Sequence, residues 1–441
     1  MKKSNINELF RSYVRDHLSP TPRERDFVST VYESVQNVLG ESSCLQIGSY
    51  PRFTSITPLH DLDVLYILGA WNASSFDPSD ALNDLQSRLE SEYDNPTQYD
   101  VEIGRQTHSI TIVFSDAGEE IFSVDIVPAY ISGRNEFGGD MYVVPEIAAK
   151  SHSDRRRIVA EVSKGSRQMA WIKSDPRGYI SVATQVNQAS EDFRKAVKLI
   201  KGWRASCKEA DDDFPLKSFH LEQAVTCDFQ RKPGLEIFDA VFNFFCGLPE
   251  LIEKPQIPDR ADSSKKIDAY VSGLTQSQKD QIKRMRDFFL IKLENIQNGA
   301  DISDLLEAGE HERASDTEEY LFDSRIPMLV EHEFTVIGRV LPRDGGFRGR
   351  ILDAVGLIEV DRQIEFRRGD DAPAATLYKW KVKNDNKSKQ PRGEITDHGT
   401  MNDPENTAYN GRHYVECYAI KSGVCIGRSR QDVVLQWVFG Q

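Results

Sequence analysis

Residues 47–67, IGSYPRFTSITPLHDLDVLYI, place two aspartates inside an apolar run that has the composition of a β-strand. Side chains alternate between the two faces of a strand, so Asp61 and Asp63 point the same way. Two neighbouring carboxylates raise each other's pKa and disfavour folding unless a positive group lies between them. The stretch therefore indicates a divalent metal at this strand, against the plainer alternative of a solvated strand edge or strand-end turn.

The composition is that of a globular protein of two or three domains, with 441 residues, 39% of them hydrophobic and 28% charged. No apolar run is long enough to span a bilayer, and the N-terminal stretch MKKSNINELFRSYVRDHL lacks the apolar segment of a signal peptide. The six cysteines are scattered without CxxC spacing. We therefore expect a cytoplasmic protein that is not membrane-embedded and has no zinc site.

The net charge bears on which nucleic-acid or nucleotide ligands the protein can bind. A formal charge of −14 repels polyanions, so stable binding to duplex nucleic acid is not expected. A local cluster of lysine, arginine and metal can still hold a triphosphate, because charges act there at short range. Nucleotide substrates therefore remain open.

Apolar periodicity organises the chain into regions. Residues 1–40 and 186–320 carry apolar residues at helical spacing, and between them short β-branched stretches alternate with helical connections. From about residue 327 the pattern alternates between apolar and polar residues, which predicts a small β-sandwich. The acidic stretch 307–323 is interpreted as a linker or a solvated helix face.

A second set of residues points to phosphate chemistry. Gly48 and Ser49 close a predicted strand just before Pro51, a residue that suits the first turn of a helix. Such a turn lets amides and the serine hydroxyl donate to a phosphate at a helix N-terminus. Asp125, in FSVDIVPAY, is a third acid among β-branched residues. Three carboxylates on adjacent strands form a suitable ligand set for two Mg²⁺ or Mn²⁺ ions.

The stretches GSYPRFTSITPLHDLDVLYIL and FSVDIVPAY resemble the Gly-Ser, paired-aspartate and third-aspartate signature of the DNA polymerase β-like nucleotidyltransferases. The resemblance is greatest to the bacterial antiphage branch, the CD-NTases (SMODS-like enzymes) related to cyclic GMP-AMP synthase and oligoadenylate synthase. It implies that Asp61, Asp63 and Asp125 are the catalytic and metal-binding residues, and that Gly48 and Ser49 bind nucleotide.

Two further stretches extend the resemblance. FRKAVKLIKGWR followed by LKSFHLE is similar to a helix and Lys-Ser pair in this branch, which implies that Lys201, Lys217 and Ser218 contact nucleotide phosphates. The stretches LYKWKVKN, PRGEIT and GRHYVECYAIKSGVCIGRS resemble the AGS-C domain, described as a sensor associated with such enzymes.

The expected fold class is therefore α+β: a polymerase β-like nucleotidyltransferase mixed sheet plus a helical domain, followed by a small C-terminal β-sandwich. The expected domains are a catalytic core with N-terminal helices over residues 1–185, a helical domain over 186–325 and an AGS-C-like sandwich over 326–441.

The resemblance implies transfer of a nucleotidyl group to a hydroxyl, without a template and with release of pyrophosphate, but the product differs among branches. The Hailong defence nucleotidyltransferases resemble this architecture well, and they link deoxyadenylates from dATP into single-stranded DNA primed by a C-terminal-domain tyrosine. Tyr409, in the polar stretch TDHGTMNDPENTAYNGRH, is the candidate primer.

Three alternatives stay open. One is a CBASS-type synthase of cyclic di- or trinucleotides from NTPs, and another is a toxin-like enzyme that modifies protein or tRNA. The third is a nucleotide-binding module without activity. As an immune-signal synthase the protein would use NTP or dNTP substrates, and an effector that reads the product, such as a membrane channel, would be encoded nearby.

Overall fold

The computed structural model describes residues 2–72, 77–147, 169–296, 301–342, 349–352, 357–397 and 404–436. The chain forms two compact units. The first unit comprises Leu9–Phe244 and Leu248–Asp280, and the second comprises Met1–Glu8, Phe245–Gly247 and Gln281–Gln441. The boundaries at residues 185 and 325 stay a prediction.

The chain begins with two helices, α1 (Lys3–Tyr13) and α2 (Pro22–Leu39), joined by a short π-helical segment. The Thr21 side chain accepts from the backbone of Glu24 while the Glu24 carboxylate accepts from the backbone of Thr21, and Pro22 occupies the first turn. Gly40 ends α2 in a left-handed conformation, with φ of 94°. These caps confirm the predicted N-terminal helices.

A seven-stranded mixed sheet forms the centre of the first unit. Its strands are β1 (Cys44–Ile47), β2 (Asp61–Ala70), β3 (Asp100–Arg105), β4 (Ile110–Asp116), β5 (Glu119–Arg134), β6 (Asp140–Ile147) and β7 (Met169–Ser174). The strands lie in the order β1-β2-β5-β4-β3, with β6 and β7 continuing from β5. Strands β2 and β5 pair in parallel, whereas the other pairs are antiparallel.

The sheet is covered on one face by α2 and by α3 (Pro78–Glu92). Apolar side chains of both helices and of β2, β4 and β5 form one buried cluster, which includes Val31, Leu85, Val64, Ile112 and Val124. Burial of these side chains stabilises the unit and holds the strand ends in place.

The helical region also agrees with its prediction. Its helices are α4 (Pro176–Ala189), α5 (Phe193–Ala210), α6 (Ser218–Arg231), α7 (Ile237–Leu251), α8 (Gln276–Glu294) and α9 (Ile302–Leu306). Helix α5 is amphipathic, and Trp203 is fully buried on its apolar side.

The C-terminal strands form two sheets in the second unit. One has the order β10-β9-β12-β15, and the other has the order β11-β17-β16-β13-β14 with β8 beside β17. The strands are β8 (Met328–His332), β9 (Val336–Val340), β10 (Arg350–Ile351), β11 (Leu357–Glu359), β12 (Gln363–Arg368), β13 (Leu377–Lys383), β14 (Ile395–Thr396), β15 (Glu405–Asn406), β16 (Gly411–Lys421) and β17 (Val424–Gln436).

Residues of both sheets share one apolar core, which includes Phe366, Trp380 and Val433. The α+β class, with a mixed sheet, a helical region and C-terminal sheets, is therefore confirmed.

The interpretation of residues 307–323 as a linker or solvated helix face is wrong for its C-terminal half. Glu318, Leu321 and Phe322 are buried. Arg313 forms ion pairs with Asp287 and Asp323. Sequence alone missed this because the stretch is acidic overall, while the buried Glu318 pairs with Lys381 and Lys383, which are distant in sequence.

Among the described helices, none combines the length and the apolar character needed to cross a membrane. All six cysteines are free.

Candidate functional site

The three predicted catalytic carboxylates lie on one face of the central sheet, which we call the carboxylate face (Asp61, Asp63 and Asp125). The parallel register of β2 and β5 pairs Asp63 with Asp125 and Asp61 with Ser123. Paired residues on neighbouring strands project to the same side, and so do Asp61 and Asp63 along β2. The structure thus brings together three acids that are as much as 64 residues apart in sequence.

The electrostatics of this face favour protonation or a bound cation. Burial, followed by the charges of Asp61 and Asp125, raises the pKa of Asp63 to about 6. Although Asp61 is exposed as a residue, desolvation of its carboxylate by neighbouring atoms, together with Asp125, also raises the pKa of Asp61. Burial, and after it the like charges at this spacing, are the reason that the acids disfavour full ionisation.

Asp125 is oriented by two hydroxyl groups, one on strand β4 and one on the residue directly before that strand. Thr111 donates a short hydrogen bond to Asp125 Oδ1, and Ser109 Oγ donates to the same atom at 3.3 Å. Both donors are buried. They hold one carboxylate oxygen in place, a role that the sequence pattern did not reveal because hydroxyl residues are common in strands.

The Gly48-Ser49 turn lies directly against the carboxylate face. Gly48 has φ of +75°, and a Cβ added there would collide with the Asp63 carboxylate. Only glycine therefore lets this backbone approach Asp63 closely. The Ser49 carbonyl accepts from the Thr54 amide at 3.1 Å, which closes the turn.

The expected helix after this turn is wrong. Residues 49–53 form turns instead, with the Phe53 amide donating to the Tyr50 carbonyl at 2.9 Å. Phe53 adopts φ of +59°, and a left-handed residue stops a helix from propagating. Pro51 is therefore a turn residue, and no helix N-terminus lies between residues 48 and 60.

Beneath the turn lies a buried ion network that we call the Glu222 network (Arg52, Thr54, Lys201 and Glu222). Glu222, only 1% exposed, accepts from Arg52 Nε at 2.5 Å, Lys201 Nζ at 2.6 Å and Thr54 Oγ1 at 2.8 Å. Lys201 Nζ also donates to the Thr54 carbonyl at 3.1 Å. The network ties the turn to helices α5 and α6.

The protonation of this network follows from its charges. Burial alone would raise the pKa of Glu222, but the Lys201 and Arg52 cations outweigh it and lower the pKa to about 2. Burial lowers the pKa of Lys201, and Glu222 opposes that shift. Glu222 therefore remains ionised as the counter-charge of two buried cations.

The network also bears on the predicted phosphate contact of Lys201. Its ammonium group is buried with Glu222 and Thr54, and the residue is 6% exposed. Contact with a phosphate stays a prediction, and it would require rearrangement of this network. Sequence reasoning missed Glu222, Arg52 and Thr54. The available signal was an acid within the apolar stretch LEQAV of α6.

The other two predicted phosphate contacts lie at the start of α6. Lys217 is exposed, and its ammonium group lies 4.9 Å from the centre of the Tyr270 ring. The Lys217 amide donates to the Tyr270 hydroxyl at 3.1 Å. Ser218 is the first residue of the helix and is half-buried. Their roles stay predictions.

The carboxylate face fits a hard divalent cation by its donor chemistry. Carboxylate oxygens are the ligands that Mg²⁺ and Mn²⁺ prefer, and a cation would offset the burial and the repulsion that raise the pKa of Asp63. In the described part of the chain no group of three or more His, Cys, Asp or Glu side chains is already arranged to hold a metal. A bound ion would therefore have to draw these carboxylates closer together.

Tyr409, the candidate primer, belongs to the second unit. It is half-buried and lines a cavity of about 340 Å³, together with His413, Asn384 and Arg392. The residue precedes β16 in a non-regular segment, as its polar sequence context predicts. Its priming role stays a prediction.

Comparison with known proteins extends these observations. Residues 315–436 match the family described as the Adenylyl/Guanylyl and SMODS C-terminal sensor domain, AGS_C. Cyclic AMP-AMP-AMP synthase of Escherichia coli (strain MS 115-1) is 26% identical over 226 residues, 49% of this chain and 60% of that protein. The C-terminal residues thus match the AGS_C family, and about half of the chain is similar to a cyclic nucleotide synthase.

A second curated relative is similar to about the same share of the chain. A probable cyclic nucleotide synthase of Bacillus cereus (strain VD146) is 24% identical over 227 residues, 46% of this chain and 60% of that protein. The chain thus spans 60% of the length of both curated relatives.

Two solved structures also match. The E. coli MS115-1 CdnC:HORMA-deltaN complex has a TM-score of 0.48 at 18% identity, covering 69% of this chain and 96% of that one. The structure of E. coli MS115-1 CdnC with ATP has a TM-score of 0.48 at 19% identity, covering 68% and 94%.

Proposed function

We propose that the chain is a metal-dependent, template-independent nucleotidyltransferase that makes an oligonucleotide signal in antiphage defence. The observation that carries this proposal is the gathering of Asp61, Asp63 and Asp125 on one face beside the Gly48 turn. In the reaction, an acceptor hydroxyl oxygen forms a bond to the α-phosphorus of a triphosphate. The bond between that phosphorus and the bridging oxygen breaks, and pyrophosphate leaves with its electron pair.

The chain's own residues have definite parts in this proposal. Asp61, Asp63 and Asp125 hold Mg²⁺ or Mn²⁺, as two ions, and the metal when bound supplies charge neutralisation at the triphosphate. Asp125, oriented by Thr111 and Ser109, accepts the proton of the attacking hydroxyl. The backbone amides of Gly48 and Ser49 and the hydroxyl group of Ser49 bind phosphate oxygens.

For the product we propose single-stranded oligodeoxyadenylate, made from dATP and primed by Tyr409. Support comes from the AGS-C domain at residues 315–436 and from the position of Tyr409 at the edge of a cavity before β16. Such a signal acts in the cytoplasm on an effector encoded nearby, for instance a membrane channel.

A second candidate product is a cyclic di- or trinucleotide made from NTPs. It is favoured by the relatives, a cyclic AMP-AMP-AMP synthase and a probable cyclic nucleotide synthase. A third candidate activity is toxin-like transfer of a nucleotidyl group to protein or tRNA. It would use the same carboxylate face, with a hydroxyl group of the macromolecule as acceptor.

The proposal is tested by incubating the purified chain with Mg²⁺ or Mn²⁺ and each labelled NTP and dNTP, with Asp63→Asn as the matched control. Products are resolved before and after phosphatase and protease. A ladder from dATP, partly attached to the protein, supports tyrosine-primed synthesis, whereas phosphatase-resistant small ribonucleotides identify the cyclic product. Label on added tRNA or protein identifies a toxin-like enzyme. Binding of nucleotide with no turnover by the wild-type chain would overturn the enzymatic proposal.

A further inference from the structure

A cleft of about 420 Å³ in the first unit is lined mainly by cations, and we call it the α5 cleft (Arg11, Arg15, Arg194, Lys195, Lys198 and Glu191 are its charged residues). It contains none of the residues of the carboxylate face, the Glu222 network or the predicted phosphate contacts. Five cations with one acid form an unusual lining in a chain whose formal net charge is −14. The excess of positive charge needs a physical explanation.

Three of the cations have carboxylate partners nearby. Arg11 pairs with Asp192 at 2.7 Å, Lys195 lies 3.6 Å from Asp192, and Arg15 pairs with Asp16 at 2.7 Å. These ion pairs account for the positions of those side chains. They also leave Arg194 and Lys198 as the cations for which a different counter-charge must be sought.

Arg194 and Lys198 form no ion pair with an acid anywhere in the described ranges. The Lys198 ammonium donates to Ser19 Oγ at 3.0 Å, a neutral acceptor. Burial, and after it the cations Arg25, Arg194, Lys201 and Lys195, lower the pKa of Lys198 to about 8. Like charges are therefore held together here in the free protein, which is unfavourable unless an anion joins them.

One buried donor at the cleft supports an anionic ligand: Arg194 Nε is buried and has no hydrogen-bond partner in the described part of the structure. Asn187 Oδ1 is also buried without a partner there, but as an acceptor it fits a donor group of a ligand and not a phosphate oxygen. A buried donor without a partner loses free energy that a ligand acceptor would restore. The Arg194 guanidinium is at the same time held 4.7 Å from the centre of the Phe53 ring, so its orientation is set before any ligand arrives.

We propose that the α5 cleft binds phosphate groups of a nucleotide or a single-stranded oligonucleotide, at a site distinct from the carboxylate face. Arg194 supplies a planar set of donors and Lys198 a point charge, the combination that suits phosphate oxygens. The adjacent Phe53 ring is 62% exposed and offers a stacking surface for a base. The cleft volume lies within the range of small-molecule sites.

The test measures binding to the full chain in EDTA, where no metal assists the carboxylate face. The probes are tripolyphosphate, ATP and a short fluorescent oligodeoxyadenylate, followed by calorimetry or fluorescence polarisation. We expect at least one probe to bind, with affinity that falls as salt rises. Lys198→Gln should weaken binding roughly tenfold, and Arg194→Gln with Lys198→Gln roughly a hundredfold, since a hydrogen bond to a charged group contributes at least a factor of ten.

The arms of the experiment separate the sources of phosphate. Tighter binding of ATP than of the oligonucleotide identifies a free nucleotide, and the reverse order identifies a strand. The matched control, Arg231→Gln with Lys232→Gln, removes two exposed cations outside the cleft and should leave affinity unchanged. Urea denaturation shows whether each variant folds. If the double variant does not fold, the single variant Lys198→Gln provides the test.

Asp63→Asn separates this inference from the proposed function, because binding in the α5 cleft requires neither metal nor turnover. Binding retained in Asp63→Asn supports the cleft even if the wild-type chain proves catalytically inactive. The inference is overturned if no probe binds, if Lys198→Gln binds as tightly as wild type, or if Asp63→Asn loses binding while the cleft variants keep it.

Discussion

Glu222→Gln tests whether the buried ion network supports the first unit. The substitution keeps the size of the side chain but removes the negative charge between Arg52 and Lys201. Both cations are almost fully buried, at 6% exposure each, so they cannot regain the lost interaction from water. Removing one partner of a buried ion pair typically costs about 3–5 kcal/mol.

The pKa of Glu222 gives an independent magnitude. A shift from an ordinary value of 4.5 to about 2 corresponds to about 3 kcal/mol, at 1.36 kcal/mol per pKa unit. Because the folded-state pKa is lowered, this stabilisation is present above pH 4.5 and is lost as pH falls toward 2. The two magnitudes agree within a few kcal/mol.

The assay is urea denaturation of the full chain at pH 7 and at steps down to pH 3, with hydrogen exchange of residues 49–54 and of α6 as a local readout. We expect Glu222→Gln to lower the free energy of unfolding by about 3–5 kcal/mol at pH 7. The difference from wild type should shrink below pH 4.5, and exchange should increase in both segments.

Asp228→Asn is the matched control, since it removes a charge from the same helix at a partly exposed pair with Arg231, 3.4 Å away. Such a pair contributes at most about 1 kcal/mol. The reasoning is refuted if Glu222→Gln costs no more than Asp228→Asn, or if its cost is unchanged between pH 7 and pH 3.

Four further variants test the carboxylate face and the primer. Asp63→Asn should abolish turnover, and because the pKa of Asp63 is raised to about 6 it should raise metal-free stability at pH 7 by up to about 3 kcal/mol, a gain that vanishes below about pH 4. Gly48→Ala should lose most activity and about 1 kcal/mol or more of stability, measured by urea denaturation, because a left-handed φ and a collision with the Asp63 carboxylate both oppose a Cβ. Ser49→Ala should weaken triphosphate binding by several-fold while the protein stays folded, as titration with nucleotide will show. Tyr409→Phe should abolish protein-attached product, seen on denaturing gels, without changing stability.

For each of these variants, one outcome would contradict the prediction. Unchanged activity in Asp63→Asn would refute the assignment of Asp63 as a metal ligand. Wild-type activity in Gly48→Ala would show that the Gly48-Ser49 turn need not approach Asp63. Loss of folded protein in Ser49→Ala makes that residue structural. Unaltered product length and yield in Tyr409→Phe removes the residue from the mechanism, with Tyr414→Phe as the control on the adjoining strand.

Local sequence pattern predicted the order of helices and strands well. The alternation around Asp61 and Asp63 was enough to place both on one face, because strand geometry depends only on neighbouring residues. Helical spacing of apolar residues over 1–40 predicted the N-terminal helices for the same reason. The sequence also singled out Gly48, whose left-handed φ suits glycine.

At two places the local sequence pattern was insufficient to predict the structure. Pro51 suggested a helix start, but the left-handed Phe53 and the closure of the turn by Thr54 and Ser49 produced turns instead. The resemblance implies a phosphate contact for Lys201, which stays a prediction, but the sequence did not reveal that its ammonium group lies buried beside Glu222. The residues that decide the turn at Pro51 are its close neighbours, whereas Glu222, the partner of Lys201, lies on another helix.

By itself, then, the sequence determined the α+β order of elements and the shared face of Asp61 and Asp63. The need for glycine at residue 48 follows from its left-handed φ and from its approach to Asp63, which the structure shows. Only the tertiary structure decided that Asp125 lies beside Asp63, because that depends on the parallel register of β2 and β5. It also decided the burial of Glu222 and the gathering of cations in the α5 cleft. Charge interactions depend on distance in space and on burial, and neither can be read from separation along the chain.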